Sequence, residues 1–143
     1  MKYIIQLLLV TIPLISCDSQ KATVTYYDAK FGYSETVVIQ EKNKTTIHIS
    51  GQIGEGADLE TQMRNALANL KKQLNKHGTD FSDLIKINTY IVNYKEEDLK
   101  TFRRVREDVF GEDIVPTSTF VGVQSLALAD WQIEIDAVAV IPL

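Results

Sequence analysis

From residue 24 to residue 141 the apolar pattern switches repeatedly between a period of two and a period near 3.6, and the order of those switches limits the fold more than any other feature. Val24 and Tyr26 predict a short first strand, and Thr36 to Gln40 a second. After the polar turn Glu41-Lys42-Asn43-Lys44, the stretch Thr45 to Ser50 alternates Ile47 and Ile49 with Thr46, His48 and Ser50, as a half-buried strand does. Gly51, Gly54 and Gly56 then predict a loop. Between Asp58 and His77 the period becomes helical, with Met63, Ala66, Leu67, Leu70 and Leu74 on one stripe. Glu55, Asp58 and Glu60 stand at its start and Lys71, Lys72, Lys76 and His77 at its end, as the helix dipole prefers, with Gly78 as the stop.

Leu84 to Tyr94 reads as a long strand with Ile85, Ile87 and Ile91 on one face. A second helix starts at Lys95-Glu96-Glu97-Asp98, turns Leu99, Phe102, Val109 and Phe110 inward and stops at Gly111. Pro116 opens a strand that runs to about Gln124. The last strand, Trp131 to Ile141, puts Ile133, Ile135, Ala137 and Ala139 on one side and Glu134, Asp136 and Val138 on the other. Strands, helix, strand, helix and two strands make an α+β domain, a mixed sheet with both helices packed on one face. No element remains to cover the other face, so a symmetric oligomer is the economical cover.

Composition narrows the partners. The chain of 143 residues is 45% hydrophobic and 24% charged, which excludes collagen-like, disordered and disulfide-scaffold classes. Its one cysteine cannot close an intrachain disulfide, and two histidines without a second cysteine argue against a zinc site. A net charge of -4 argues against a broad phosphate-binding surface, so neither a metal nor a nucleic-acid partner is expected.

The N-terminus predicts an address. Lys2 is followed by an apolar run from Tyr3 to Ile15, too short to span a bilayer but suited to the core of a secretory signal. The ending Leu14-Ile15-Ser16-Cys17 resembles the lipobox of bacterial lipoproteins, in which the chain is cut before the cysteine and its thiol takes a diacylglycerol. Residues 1–16 are thus expected to be a lipoprotein signal peptide, 17–23 a polar tether and 24–143 the folded domain. Cys17 would hold the protein to a membrane of the bacterial cell envelope through its lipid.

Three segments of the domain carry a family resemblance. Ser50-Gly51-Gln52-Ile53, followed by the helix Gln62 to Leu70 closing at Gly78, resembles the RidA (YjgF) family. The strand Ile133-Glu134-Ile135-Asp136-Ala137-Val138-Ala139-Val140 is similar to the family's Ile-Glu-Ile-Glu-Ala-Ile-Ala-Val. Phe31-Gly32-Tyr33-Ser34 is similar to Gly-Pro-Tyr-Ser, with Gly where Pro is usual. The resemblance implies a chorismate-mutase-like fold, a homotrimer, and small-molecule clefts between subunits. The family's activity is hydrolysis of reactive enamines and imines to a 2-keto acid and ammonia, without a cofactor.

That chemistry needs a cation for the substrate carboxylate and an acid/base to hold the attacking water. In the family these are an Arg two residues after a Pro and the first Glu of the last-strand motif. Glu134 matches the second and is the candidate catalytic residue. The first is missing, because Pro116-Thr117-Ser118 puts Ser118 at the arginine position. A hydroxyl donates one hydrogen bond and cannot form the two-pronged charged clamp of a guanidinium. The family also carries a cleft Asn on the second helix, and alternative alignments put Arg103 or Arg106 there. Either one is a candidate for holding an anion from another wall. Against this stands a solvated face in which Arg103, Arg104 and Arg106 pair with Glu107 and Asp108. Tyr33 is expected to close the cleft from a neighbouring subunit, and Ser50 is a further candidate ligand-binding residue. His48 shares a strand face with Ser50, but no third group orients it as a base. His77 reads as a helix C-terminal cation.

Two function classes follow. One is a lipid-anchored trimer that binds a small metabolite, with deaminase activity weakened by Ser118. The other is an active imine or enamine hydrolase using Glu134 and a relocated arginine.

Overall fold

A computed structural model describes residues 21–143, so the 1–16 segment and Cys17 lie outside the described residues. The chain forms β1 (Thr23–Tyr27), β2 (Thr36–Gln40), β3 (Lys44–Gln52), α1 (Leu59–Lys76), a 3-10 turn at Phe81–Asp83, β4 (Leu84–Val92), α2 (Glu96–Phe110), β5 (Thr117–Val123) and β6 (Ile133–Pro142). The strands lie in the order β1-β2-β3-β6-β4-β5. All neighbours are antiparallel except β4 and β5, whose parallel pairing requires a crossover, supplied here by α2.

β6 sits in the middle of the sheet because its alternation gives it one wholly apolar face. Ile133, Ile135, Ala137 and Ala139 are buried on the helix side, beside Ile47 and Ile49 of β3 and Ile87 and Ile91 of β4. α1 packs on β3 and β6 through Met63, Ala66, Leu67, Leu70 and Leu74, all buried. Its first turn is capped by Asp58, whose carboxylate accepts the Thr61 N–H at 2.8 Å. α2 starts where Asp98 accepts the Lys95 N–H at 2.7 Å, and it buries Phe102, Val105 and Phe110. Ring contacts of Phe102 with Phe120 and of Phe110 with Phe81 join α2 to the core. The result is an α+β fold, a six-stranded mixed sheet with two helices on one face.

Four sequence expectations change. Ile85 is exposed, because the β4–β6 register shifts between Leu84 and Lys86 and turns it off the core face that Ile87 and Ile91 share. Gly51 does not open a loop; it stays in β3, and the chain leaves the sheet after Gln52. His77 ends α1 in a part-buried contact whose surroundings disfavour the cation. Its Nε2 lies 2.8 Å from the buried Thr36 hydroxyl, its ring meets Tyr27 edge-on, and burial, followed by the charge of Lys76, pushes its pKa down. The arginines of α2 do not form one solvated face: Arg104 crosses to Glu60 of α1 at 2.6 Å, while Asp108 is taken by Arg64 at 2.6 Å.

The far face of the sheet carries Val24 and Tyr26 of β1, Val37 and Ile39 of β2, Val138 and Val140 of β6, Tyr90 and Val92 of β4, and Val121 and Val123 of β5. They are interrupted by His48, Lys86, Asn88 and Asp136. No described element lies over it, and Tyr26 and Val121 are open to solvent.

Candidate functional site

The site grows from a break in the β3–β6 ladder. Ile49 pairs with Ala137 and Gln52 with Ile135, so Ser50 and Gly51 together stand opposite Asp136. Two residues against one is a β-bulge. It lets Ile49 and Gln52, three apart, face the same buried side, and it brings the Gly51 backbone against the side chain of Glu134. A Cβ at position 51 would overlap the Glu134 carboxylate. Glycine is needed here for that close approach.

Around Glu134 lies a cleft of about 530 Å3. Tyr33 and Glu35 border it ahead of β2, Ser50, Gly51, Gln52 and Ile53 at the end of β3, Asn69 on α1, and Ala127 and Trp131 in the loop before β6. Its loops are fixed by amides of α1. The buried Gln62 donates to Gly56 O at 3.1 Å and to Asp130 O at 2.9 Å, and it accepts the Gln132 N–H at 2.9 Å. Asn69 donates to Ile53 O at 2.9 Å and Asn65 to Glu55 O at 2.7 Å. One helix face thereby fixes both the 53–56 and the 130–132 segments.

The two carboxyls of the cleft differ. Glu35 is paired with Lys30 at 2.8 Å, and that hydrogen bond holds its pKa below the usual carboxylate range. Glu134 is pushed the other way, by burial first and then by the charge of Asp136, with no hydrogen bond to offset either. A pair of carboxyls whose surroundings push their titrations apart is a common arrangement in acid/base sites. Tyr90, in register with Glu134 on β4, is pushed up by burial and by Asp136, so it stays neutral. Asp136 itself accepts from Asn88 at 2.7 Å.

The remaining sequence candidates are distributed as follows. Tyr33 borders the Glu134 cleft of its own chain. The Ser50 hydroxyl donates to Ser34 O at 2.6 Å, and His48 points to the open face between Val37 and Val138. Ser118 is exposed on the edge strand β5, in register with Ile87 and therefore directed to the helix side. Arg103 and Arg106 line a separate groove of about 540 Å3 with Leu99, Phe102, Ile114 and Val115. Neither pairs with a carboxylate among the described residues, in contrast to Arg64 and Arg104. A single chain therefore gathers Glu134, Tyr33 and Ser50 in one cleft, and it leaves Ser118, Arg103 and Arg106 outside it.

Sequence reasoning missed Glu35, Gln52, Asn69 and Trp131 as cleft residues and Gln62 as their anchor. Gln62 did carry a signal: it is a polar residue next to Met63 on the buried stripe of a helix, where an amide must be hydrogen-bonded. Trp131 and Glu35 carried none, because their place depends on how the 124–132 and 28–35 segments fold back on the sheet.

Comparison with known proteins agrees with this architecture. The family model described as Endoribonuclease L-PSP matches residues 25–141. A YjgF/YER057c/UK114 family member from Mycobacterium tuberculosis is 25% identical, with a TM-score of 0.71 over 85% of this chain and 100% of that one. The Rid-family protein YyfB from Yersinia pestis is 30% identical, with a TM-score of 0.61 over 84% of this chain and 98% of that one. A YjgF-family protein from Neisseria meningitidis, 23% identical, shares the fold at a TM-score of 0.71, over 82% of this chain and 94% of that one. No curated protein matches the sequence significantly.

Proposed function

The chain belongs to the Endoribonuclease L-PSP (YjgF/Rid) family, and on that premise we propose that it is a homotrimer binding a small metabolite at the Glu134 cleft, with the family's imine deaminase activity weak. The observation that carries this reading is the cleft itself. It holds a half-buried carboxyl whose pKa burial raises, and no described arginine lines it. In the hydrolysis of an imine, water adds to the C=N carbon and Glu134 takes its proton. Glu134 returns that proton to nitrogen to give the carbinolamine, then carries the remaining hydroxyl proton to nitrogen, and ammonia leaves as the C–N bond breaks and the carbonyl forms. Position 118 lies away from this cleft in its own chain, so in a trimer it would serve the cleft of a neighbouring copy, and without a guanidinium there an imino acid loses the charged clamp that would hold its carboxylate in place.

The second reading, an active hydrolase with a relocated arginine, is favoured by one observation. Arg103 and Arg106 are free of carboxylate partners among the described residues and border a groove that a neighbouring subunit could complete. RNA is a poor fit for either reading, since the chain is acidic and the cleft is lined by two carboxylates. Lipid attachment at Cys17, after removal of residues 1–16, is proposed as the route to the cell envelope.

The test follows the decay of 2-iminopropionate, generated by an amino-acid oxidase, with the wild type, Glu134→Ala and Ser118→Arg. No acceleration by the wild type and a gain of at least tenfold in Ser118→Arg is the expected result. Acceleration by the wild type that is lost in Glu134→Ala and in Arg103→Ala or Arg106→Ala moves the assignment to the second reading. Silence from all versions removes the hydrolase frame altogether.

A further inference from the structure

If the Glu134 cleft is the ligand site, as read above, its lining also fixes the charge of what it holds. Three of the wall's donors are turned back into the fold: Ser50 donates to Ser34 O at 2.6 Å, Gln52 to Ser50 O at 3.0 Å and Asn69 to Ile53 O at 2.9 Å. The charged groups that remain are the carboxylates of Glu134 and Glu35, beside two neutral donors, the Tyr33 hydroxyl and the Trp131 N–H. The cation beside them, Lys30, lies outside the lining and is engaged with Glu35 at 2.8 Å. Tyr33 and Trp131 add two aromatic side chains, and Ile53 an apolar wall.

An anionic group entering this space would face Glu134, which has no cationic partner among the described residues, and Glu35, whose one cation is already engaged, and would find only neutral donors. An ammonium or iminium group matches on every count. It carries only donors, its charge suits the carboxylates, and aromatic rings attract cations at partly desolvated sites. The volume, about 530 Å3, accommodates an apolar substituent of aromatic size as well. We propose that the Glu134 cleft is specific for a small organic amine or its iminium, apolar at its far end and lacking the carboxylate of an amino-acid-derived ligand. The replacement of the family's arginine by Ser118 is then a change of substrate class, and the acidic, aromatic lining is its counterpart.

Trp131 is the single tryptophan of the chain and lines the cleft, so intrinsic fluorescence reads occupancy directly. The experiment titrates the purified protein at pH 7 with a matched pair of probes, 2-phenylethylamine and 3-phenylpropionate, which share a ring and linker and differ in charge. A saturable change in Trp131 emission with the amine, at an affinity at least tenfold above that for the carboxylate, is expected. Glu134→Gln is expected to weaken the amine tenfold or more with the circular dichroism spectrum unchanged. Equal or tighter binding of the carboxylate overturns the proposal, as does the absence of a saturable response to the amine. The wild-type comparison decides the matter without the variant. Failure here is distinguishable from failure of the deaminase frame. Turnover of 2-iminopropionate with no amine binding keeps the site and refutes its charge preference. Amine binding with silence in every imine assay keeps the charge preference and refutes the hydrolase frame.

Discussion

A methyl group at position 51 would occupy the space of the Glu134 carboxylate, so this glycine and this acid form one unit. The atoms that must give way are the far end of a flexible side chain, and the backbone at 51 is not among the positive-φ glycines. Gly51→Ala is therefore expected to fold, with a change in unfolding free energy within about 1 kcal/mol. The cost falls on the site: the Trp131 fluorescence response to 2-phenylethylamine should weaken at least tenfold. An unchanged response with unchanged stability would show that Glu134 has an equivalent position elsewhere. Gly54 differs, because its missing Cβ would meet the backbone of α1 at Gln62 and Ala66, which cannot move aside. Glu134 and Gly51 were both legible in the sequence, one as a motif acid and the other as part of Ser-Gly-Gln-Ile. Their contact was not, because it depends on a bulge that sets two residues of β3 against one of β6, a register that alternation alone does not specify.

At the scale of elements, α1 and α2 are joined by a charge network whose cross-helix pairs are each 44 residues apart in sequence. Glu60 receives Arg64 from its own helix and Arg104 from the other, and Arg64 reaches on to Asp108. The Arg104 hydrogen bonds, followed by those of Arg64, hold the Glu60 carboxyl down to about 2, from 4.5 in a free chain. As pH falls, the unfolded chain takes up this proton first, so the contribution of Glu60 is complete above pH 4.5 and is lost between 4.5 and 2. A comparison of melting temperature against pH for the wild type and Glu60→Gln is expected to show a gap at pH 6 that closes across that window and narrows in high salt. A gap that persists at pH 2 would assign the difference to packing. Element existence and order were readable from periodicity throughout: the boundaries of β2 and the apolar residues of the buried stripe of α1 follow from sequence, while Gln62 on that stripe does not. What periodicity does not encode is which helix an arginine leans toward. Thus the Arg103-Arg104-Arg106 run looked like one solvated face, yet Arg104 answers an acid on α1 while its neighbours line a groove.

For the whole molecule, the sheet has helices on one face and an open row of Tyr26, Val37, Ile39, Val138, Val140 and Val121 on the other. Burial of that row against further copies of the chain is the expected arrangement. Sedimentation should then give a mass near three chains, and Val138→Lys, placed mid-row opposite His48 and Lys86, should return it to one with a lower melting temperature. A single-chain mass for the wild type would leave the face without its proposed cover. The position of β6 has a consequence in time. The strand at the centre of the sheet is the last one made, and its partners include residues as distant as Lys44 and Leu84. A chain leaving the ribosome therefore exposes β3, α1 and β4 with an empty slot between the strands until its final segment emerges. Contacts of such long separation form slowly, because the loops they close are long. The sheet can therefore close only once β6 has been made, although the β1–β2–β3 meander and α1 depend on shorter-range contacts.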